Sequence, residues 1–350
     1  MNPGVLHAFL AAITFGASTP FAKLLVGQIA PVALAALLYL GSGVGLMLWM
    51  GLRELRPSSP ESSGARLRRP DLPWLAGAIV FGGIAGPVLL MLGLSVTPAS
   101  SASLLLNMEG VLTSLLAWFV FKENFDRRIF IGMMLIVAGG LVLGWEQRPE
   151  IGMPWGALAI VAACLCWGID NNLTRKISAS DAVQIAAIKG LVAGAVNLCI
   201  ALWLGITLPG AGRAALAGLV GFCGYGMSLV FFVLALQKLG TARTGAYFSV
   251  APFVGAAVSL LMLGDAPGTG FWAAGLLMGA GIWLHLTERH EHLHVHEPMA
   301  HAHEHVHDAH HQHHHDFDWD GVEPHAHPHQ HEAAAHSHPH VPDIHHRHRH

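Results

Sequence analysis

Ten long apolar runs dominate this chain and leave few folds open to it. They cover 5–26, 31–52, 74–96, 99–121, 128–145, 154–177, 182–206, 214–236, 241–263 and 268–287. A helix needs roughly 20 mostly apolar residues to cross a bilayer. The runs are too long for strands and lack alternation. Only 12% of the 350 residues are charged, against about 25% in soluble domains. The 40 glycines suit helices packed closely through small side chains. The expectation is an all-α integral membrane protein with ten transmembrane helices. The first run has no basic segment before it and does not stop at signal-peptide length, so it is expected to be retained. Cys164, Cys166, Cys199 and Cys223 all fall inside runs and are expected to be buried, inert thiols. Cys164 and Cys166 lie about 200° apart on a helix, so they cannot close on one metal.

Loop charge sets the expected orientation. Arg53, Arg56, Arg66, Arg68 and Arg69 follow the second run, and Lys122, Arg127 and Arg128 the fourth. Arg175 and Lys176 follow the sixth, and Lys238 and Arg243 bracket the link between the eighth and ninth. The alternate loops are nearly bare. The positive-inside rule then places both termini in the cytoplasm of a multi-pass inner-membrane protein. Lys23 is the one misfit, near the opposite face, where its length lets it reach the interface.

The chain also resembles itself. "TFGASTPFAKLL" (14–25) lies against "CWGIDNNLTRKI" (166–177). "LGLSVTPASSASLLLNMEGVLTSLLAWFVFKEN" (92–124) lies against "LALQKLGTARTGAYFSVAPFVGAAVSLLMLGDA" (234–266). An aromatic–Gly pair, a basic residue eight positions later, and a far acid (Glu123, Asp265) all align. Each half holds five helices, and an odd number forces the halves into opposite orientations, an arrangement typical of secondary transporters. The expected divisions are 1–146 and 147–288 for the repeats and 289–350 for a tail.

These features resemble the drug/metabolite transporter superfamily, EamA type. The resemblance covers 5–286 and rests on "FKEN" (121–124) and "LGDA" (263–266), each followed by a Gly-rich helix, "GMMLIVAGGLVL" (132–143) and "GLLMGAGIWL" (275–284). It implies two five-helix halves, alternating access, and export of small metabolites driven by gradients. The sequence departs from that family at one place. Pro252 stands mid-helix in the second half, but the first half has Glu109-Gly110 instead.

An ionisable residue inside a spanning helix costs about 2.5–3.5 kcal/mol on insertion scales and marks function by default. Three stand out: Glu109, Asp170 and Lys189. Asp170 is seven residues from the end of the sixth run, and Lys189 seven into the seventh. Both are therefore about 10 Å deep on adjacent helices. The expectation is an ion pair, either a static clasp or a switchable pair facing the cavity. Glu109 lies near the midplane with no opposite charge at its depth in neighbouring helices. It is a candidate proton carrier or contact for a substrate cation or amine, or a structural group bonded to Asn107 or a backbone carbonyl. Asn171 and Asn172 follow Asp170, and three polar side chains in a row force at least one inward. Asn107, Tyr225, Tyr247 and Ser249 are further pathway candidates. Gly82-Gly83, Gly86-Pro87 and "GFCGYG" (221–226) occupy matching stretches of the third and eighth runs, where bending or close packing would serve gating.

From His290 onward the composition changes. All of the 26 histidines but His7 and His285 lie there, mostly as H-x-H. So few apolar residues cannot form a core, and disorder is expected. Imidazole is a common metal ligand. His301, His303, His305, His307, His311, His313, His314, His315, His325, His327, His329 and His331 are candidate ligands for Zn, Ni, Co or Cu. The tail could feed an exporter, sense metal, buffer it, or report cytoplasmic pH.

The expected function is gradient-driven export of a small polar, amino-acid-like metabolite, with no required cofactor, by a monomer or homodimer. One alternative is efflux of a transition metal or its chelate. Another is a metal-binding membrane receptor or storage protein that translocates nothing. No phosphate loop, H-E-x-x-H or nucleophile–base arrangement is present, so neither an enzyme nor an ATP-driven pump is expected. Nothing points to nucleic acid.

Overall fold

The computed structural model describes residues 3–54, 67–121, 127–146, 155–178, 180–264, 266–287, 291–295, 299–305, 325–331 and 335–339. The chain divides into two units, Met1–Glu288 and Arg289–His350.

The described residues of the first unit are mainly helical. Its helices are α1 (Pro3–Val26), α2 (Pro31–Glu54), α3 (Leu72–Ala78), α4 (Gly86–Val96), α5 (Ala99–Leu105), α6 (Met108–Phe121) and α7 (Arg127–Glu146). They continue as α8 (Trp155–Ile177), α9 (Ala182–Trp203), α10 (Ala211–Gly221), α11 (Ser228–Phe248), α12 (Ala251–Leu263) and α13 (Thr269–Leu286). Two π-helical segments join neighbours without a break: Ile79–Ala85 between α3 and α4, and Phe222–Met227 between α10 and α11. Among the described residues, seven continuous helical stretches are long and apolar enough to cross a membrane, and 130–143, 251–263 and 269–284 are shorter apolar helices. Each of the ten expected spans thus has a counterpart. The outward face agrees, since Trp203, Leu261 and Leu276 are 85%, 87% and 77% exposed. So many large apolar groups facing outward suit lipid rather than water.

The fourth and ninth spans are broken at matching places. The fourth divides between Leu105 and Met108, and the ninth between Phe248 and Ala251. The repeat register maps Asn107 onto Ser249. Asn107 Nδ2 donates to the Leu104 carbonyl at 3.0 Å, and Ser249 Oγ to the Gly245 carbonyl at 2.8 Å. A side chain that takes a carbonyl of the preceding turn competes with the helical ladder there. Both spans therefore break, although only the second carries Pro252. One expectation fails nearby. The link foreseen between the eighth and ninth spans is helical, because α11 runs unbroken from Ser228 to Phe248. The Pro that could end it comes only at 252.

Repeat mates pack on each other. α2 lies along α9, and α7 along α13. Glycine makes the first contact possible: a Cβ on Gly43 would overlap the backbone of Gly190 and Leu191, and one on Gly194 that of Leu40. In the second contact a Cβ on Gly139 would press on Met278 and the Ala274 carbonyl. Close backbone approach gives dispersion contacts that apolar burial alone cannot supply in lipid. Gly264, at φ 64°, ends α12 in the left-handed region that favours glycine.

The second unit carries two antiparallel two-stranded ladders, β1 (Glu291–Val295) with β4 (Ala335–Pro339), and β2 (Met299–His305) with β3 (His325–His331). Composition led to an expectation of a disordered tail, and ladders only two strands wide do not overturn it, since an isolated pair of strands is marginal in water. In the second ladder His301, His303 and His305 stand opposite His329, His327 and His325. His307, His311, His313, His314 and His315 lie outside the described residues.

Candidate functional site

The polar residues inside the helices converge on one turn of α8. Consecutive residues of a helix are 100° apart, so Asp170, Asn171 and Asn172 each meet a different neighbour. Asp170 points to α9. Lys189 Nζ lies 2.6 Å from its Oδ1 and 2.8 Å from its Oδ2. Thr174, one helical turn on, donates its hydroxyl to Oδ1 at 2.8 Å. Lys189 is 2% exposed and Asp170 7%. The expected ion pair is present, closed and out of solvent.

Asn171 points to α6. Its Nδ2 donates to Glu109 Oε1 at 2.8 Å. Glu109 stands in the first turn after the break of the fourth span. Its partner is therefore neither Asn107 nor a backbone carbonyl, as the sequence suggested, but the neighbour of the ion-paired Asp170. Asn172 turns further, donating to the Gly168 carbonyl at 2.8 Å and the Thr113 carbonyl at 3.3 Å. Gly168 lets the helices close, since a Cβ there would sit 3.1 Å from the Thr113 nitrogen. Glu109, Asn171, Asn172, Asp170 and Lys189 thus form one continuous group across α6, α8 and α9.

An aromatic cluster adjoins it. Phe15 of α1 meets Trp167 edge-on at 5.8 Å, Tyr225 at 5.8 Å and Phe248 at 5.7 Å between ring centres. Tyr225 also meets Tyr39 at 5.6 Å. Trp167 is one turn from Asn171 on the same face of α8. Tyr225 therefore lies beside the site through the rings. Asn107 does not join it: its Nδ2 donates to the Leu104 carbonyl and to Met278 Sδ at 3.6 Å, and among the described residues its buried Oδ1 has no partner. Tyr247 packs on Phe9 at 5.4 Å, in a small cluster with Ala8, Ala235 and Leu239. Ser249 lies near Gly110, where a Cβ would be 3.8 Å from its Oγ. The cysteines correct another expectation. Only Cys164 is buried; Cys166 is half-buried, and Cys199 and Cys223 are exposed on their helices.

Some important residues escaped the sequence reading. Tyr39, Trp167 and Asn197 donate to backbone carbonyls of the π segment at 79–85. Asn197, a lone amide in an apolar helix, was the visible signal. Lys23 turns to the end of the third span. Its Nζ donates to the Leu94 and Thr97 carbonyls at 2.6 and 2.8 Å. It caps the end of α4, where unpaired carbonyls and the helix dipole attract a cation.

Broken spans meeting between two repeated halves, with a carboxylate at the break, describe a multi-pass membrane transporter. Comparison with known proteins agrees. The EamA-like transporter family matches twice, at residues 2–145 and 154–287, and the chain belongs to that family. An uncharacterized transporter of Methanothermobacter thermautotrophicus is 28% identical over 293 residues, covering 80% of this chain and 85% of that protein. A protein of Pseudomonas paraeruginosa, named a probable 4-amino-4-deoxy-L-arabinose-phosphoundecaprenol flippase subunit ArnE, is 38% identical over 115 residues. That match covers 33% of this chain and 96% of the relative. One solved crystal structure superposes with a TM-score of 0.60 at 19% identity, over 80% of this chain and 94% of the other. That likeness concerns the fold alone. The relatives are named as transporters or flippase subunits, and this chain is a transporter rather than an enzyme.

Proposed function

We propose that the protein is a secondary active exporter of a small polar solute carrying an amine, amino-acid-like in size, in the inner membrane with both termini cytoplasmic. One observation carries this reading: Glu109, in the first turn after a helix break, is held by Asn171 alone among the side chains of the described residues. A neutral amide can be displaced by a cation or a proton at modest cost, whereas the Asp170 carboxylate is bound by an ammonium and a hydroxyl. Glu109 is thus the acid free to exchange partners, and Asp170 the one that holds helices together. The name of the Pseudomonas relative mentions an amino sugar, a solute type within reach of the same chemistry. Without a phosphate loop, an ion gradient drives the cycle.

The tail binds Zn, Ni, Co or Cu on this reading and regulates or buffers rather than defining the cargo. Supporting it, the backbone register sets three histidines of β2 opposite three of β3. Against a bare-metal path, both membrane carboxylates already have partners.

The test compares cells expressing the intact chain with cells expressing Glu109→Gln at equal membrane abundance. Exported amines and cellular Ni, Co, Zn and Cu are both measured. The reading expects an exported amine that the variant fails to export, with equal metal contents. A metal lowered only by the intact protein overturns it in favour of metal or chelate efflux.

A further inference from the structure

The two π-helical segments are repeat mates. The register that lays 92–124 on 234–266 also lays Ile79–Ala85 on 221–227, with Gly82 on Gly224. Their surroundings correspond residue by residue. A Cβ on Gly82 would overlap the Asp170 carboxylate, and one on Gly224 would overlap the Ser18 side chain. Asp170 and Ser18 are themselves mates, by the register that lays 14–25 on 166–177. A π turn shifts the helical ladder and leaves backbone groups in need of other partners, so matched π turns in a transporter are natural bending points.

The two turns are not equally held. In the first half Tyr39 Oη and Trp167 Nε1 donate to the Gly82 carbonyl at 2.7 and 3.0 Å. Asn197 Nδ2 donates to the Gly83 carbonyl at 3.0 Å. All three bonds are buried, and they reach the third span from α2, α8 and α9. The Asp170–Lys189 pair closes the remaining side of Gly82. Around the second turn the mates of Tyr39, Trp167 and Asn197 are Leu191, Phe15 and Gly45. None has a side-chain donor. Gly45 still faces the matching turn, since a Cβ there would meet the Phe222 ring. Among the described residues, no side chain donates to a carbonyl of Phe222–Met227.

The geometry points to an asymmetric pair of hinges: the π turn of the eighth span bends during transport, while that of the third span is latched by Tyr39, Trp167, Asn197 and the Asp170–Lys189 pair. The halves share one backbone plan, but Trp167, Asn197 and the Asp170–Lys189 pair of the second half join Tyr39 of the first in locking the first-half turn. Motion between states is then carried chiefly by the eighth span. Any solute would serve, so this inference stands apart from the identity of the cargo.

Hydrogen–deuterium exchange of the full chain in lipid nanodiscs tests it. Amides of 80–90 should exchange at least tenfold more slowly than those of 223–233. Tyr39→Phe combined with Trp167→Phe should speed exchange at 80–90 about tenfold, of the order one or two buried hydrogen bonds contribute, and leave 223–233 unchanged. Equal protection of the two segments in the intact protein overturns the proposal without any variant. So does faster exchange at 80–90 than at 223–233, or a double variant that exchanges like the intact chain.

Discussion

Removing one member of the Asp170–Lys189 pair should destabilise the membrane unit far more than removing both. The carboxylate accepts from Lys189 at 2.6 and 2.8 Å and from Thr174 at 2.8 Å, with Lys189 only 2% exposed. Lys189→Met leaves a buried carboxylate with one hydroxyl, and Asp170→Asn leaves a buried ammonium facing an amide. Breaking a buried pair costs about 3–5 kcal/mol, mainly from the stranded charge. Each kcal/mol shifts the melting temperature of a large domain by roughly 2–4 °C. Each single variant should therefore melt at least about 6 °C below the parent in detergent. The double variant Asp170→Asn/Lys189→Met strands no charge and should melt within about 3 °C of the parent. Size-exclusion of heated samples, followed by fluorescence, reads all four proteins. Singles that melt with the parent, or a double variant that loses the sum of both, would refute the clasp.

Other consequences are simpler. Lys23→Met leaves the Leu94 and Thr97 carbonyls uncapped; at about 1.5–3 kcal/mol for a charged hydrogen bond, its melting temperature should fall measurably, and Lys23→Arg should recover part of the loss. Gly43→Leu drives a side chain into the backbone of Gly190 and Leu191; membrane abundance should collapse, whereas Gly51→Leu, with open space around it, should leave it unchanged. Deleting 289–350 should abolish zinc binding by the purified protein while its melting temperature stays that of the intact chain.

Apolar period and length carried the fold almost entirely, because lipid admits few alternatives for runs of this kind. The Asp170–Lys189 pair was legible for the same reason: equal depth on adjacent helices leaves two opposite charges little choice. The partner of Glu109 was not. Asn171 reaches it across 62 positions of sequence, and nothing local signals that α6 and α8 meet. The break at Asn107 was hidden because it depends on a side-chain amide turning back to Leu104 rather than on a proline. The latch around Gly82 was invisible too. A tyrosine, a tryptophan and an asparagine on three helices acquire a common role only when a π turn frees the carbonyls they share. The partners of Lys23 were hidden too, since the carbonyls it caps lie 71 and 74 positions away in sequence.

Alternating access requires water and solute to reach Glu109 from each side of the membrane in turn. The direct measurement replaces Glu109 with cysteine in a chain whose Cys166, Cys199 and Cys223 are alanine. Right-side-out and inside-out vesicles are then treated with a charged, membrane-impermeant thiol reagent. Alternating access predicts labelling at position 109 from both faces. Labelling from one face only, or from neither, would contradict it.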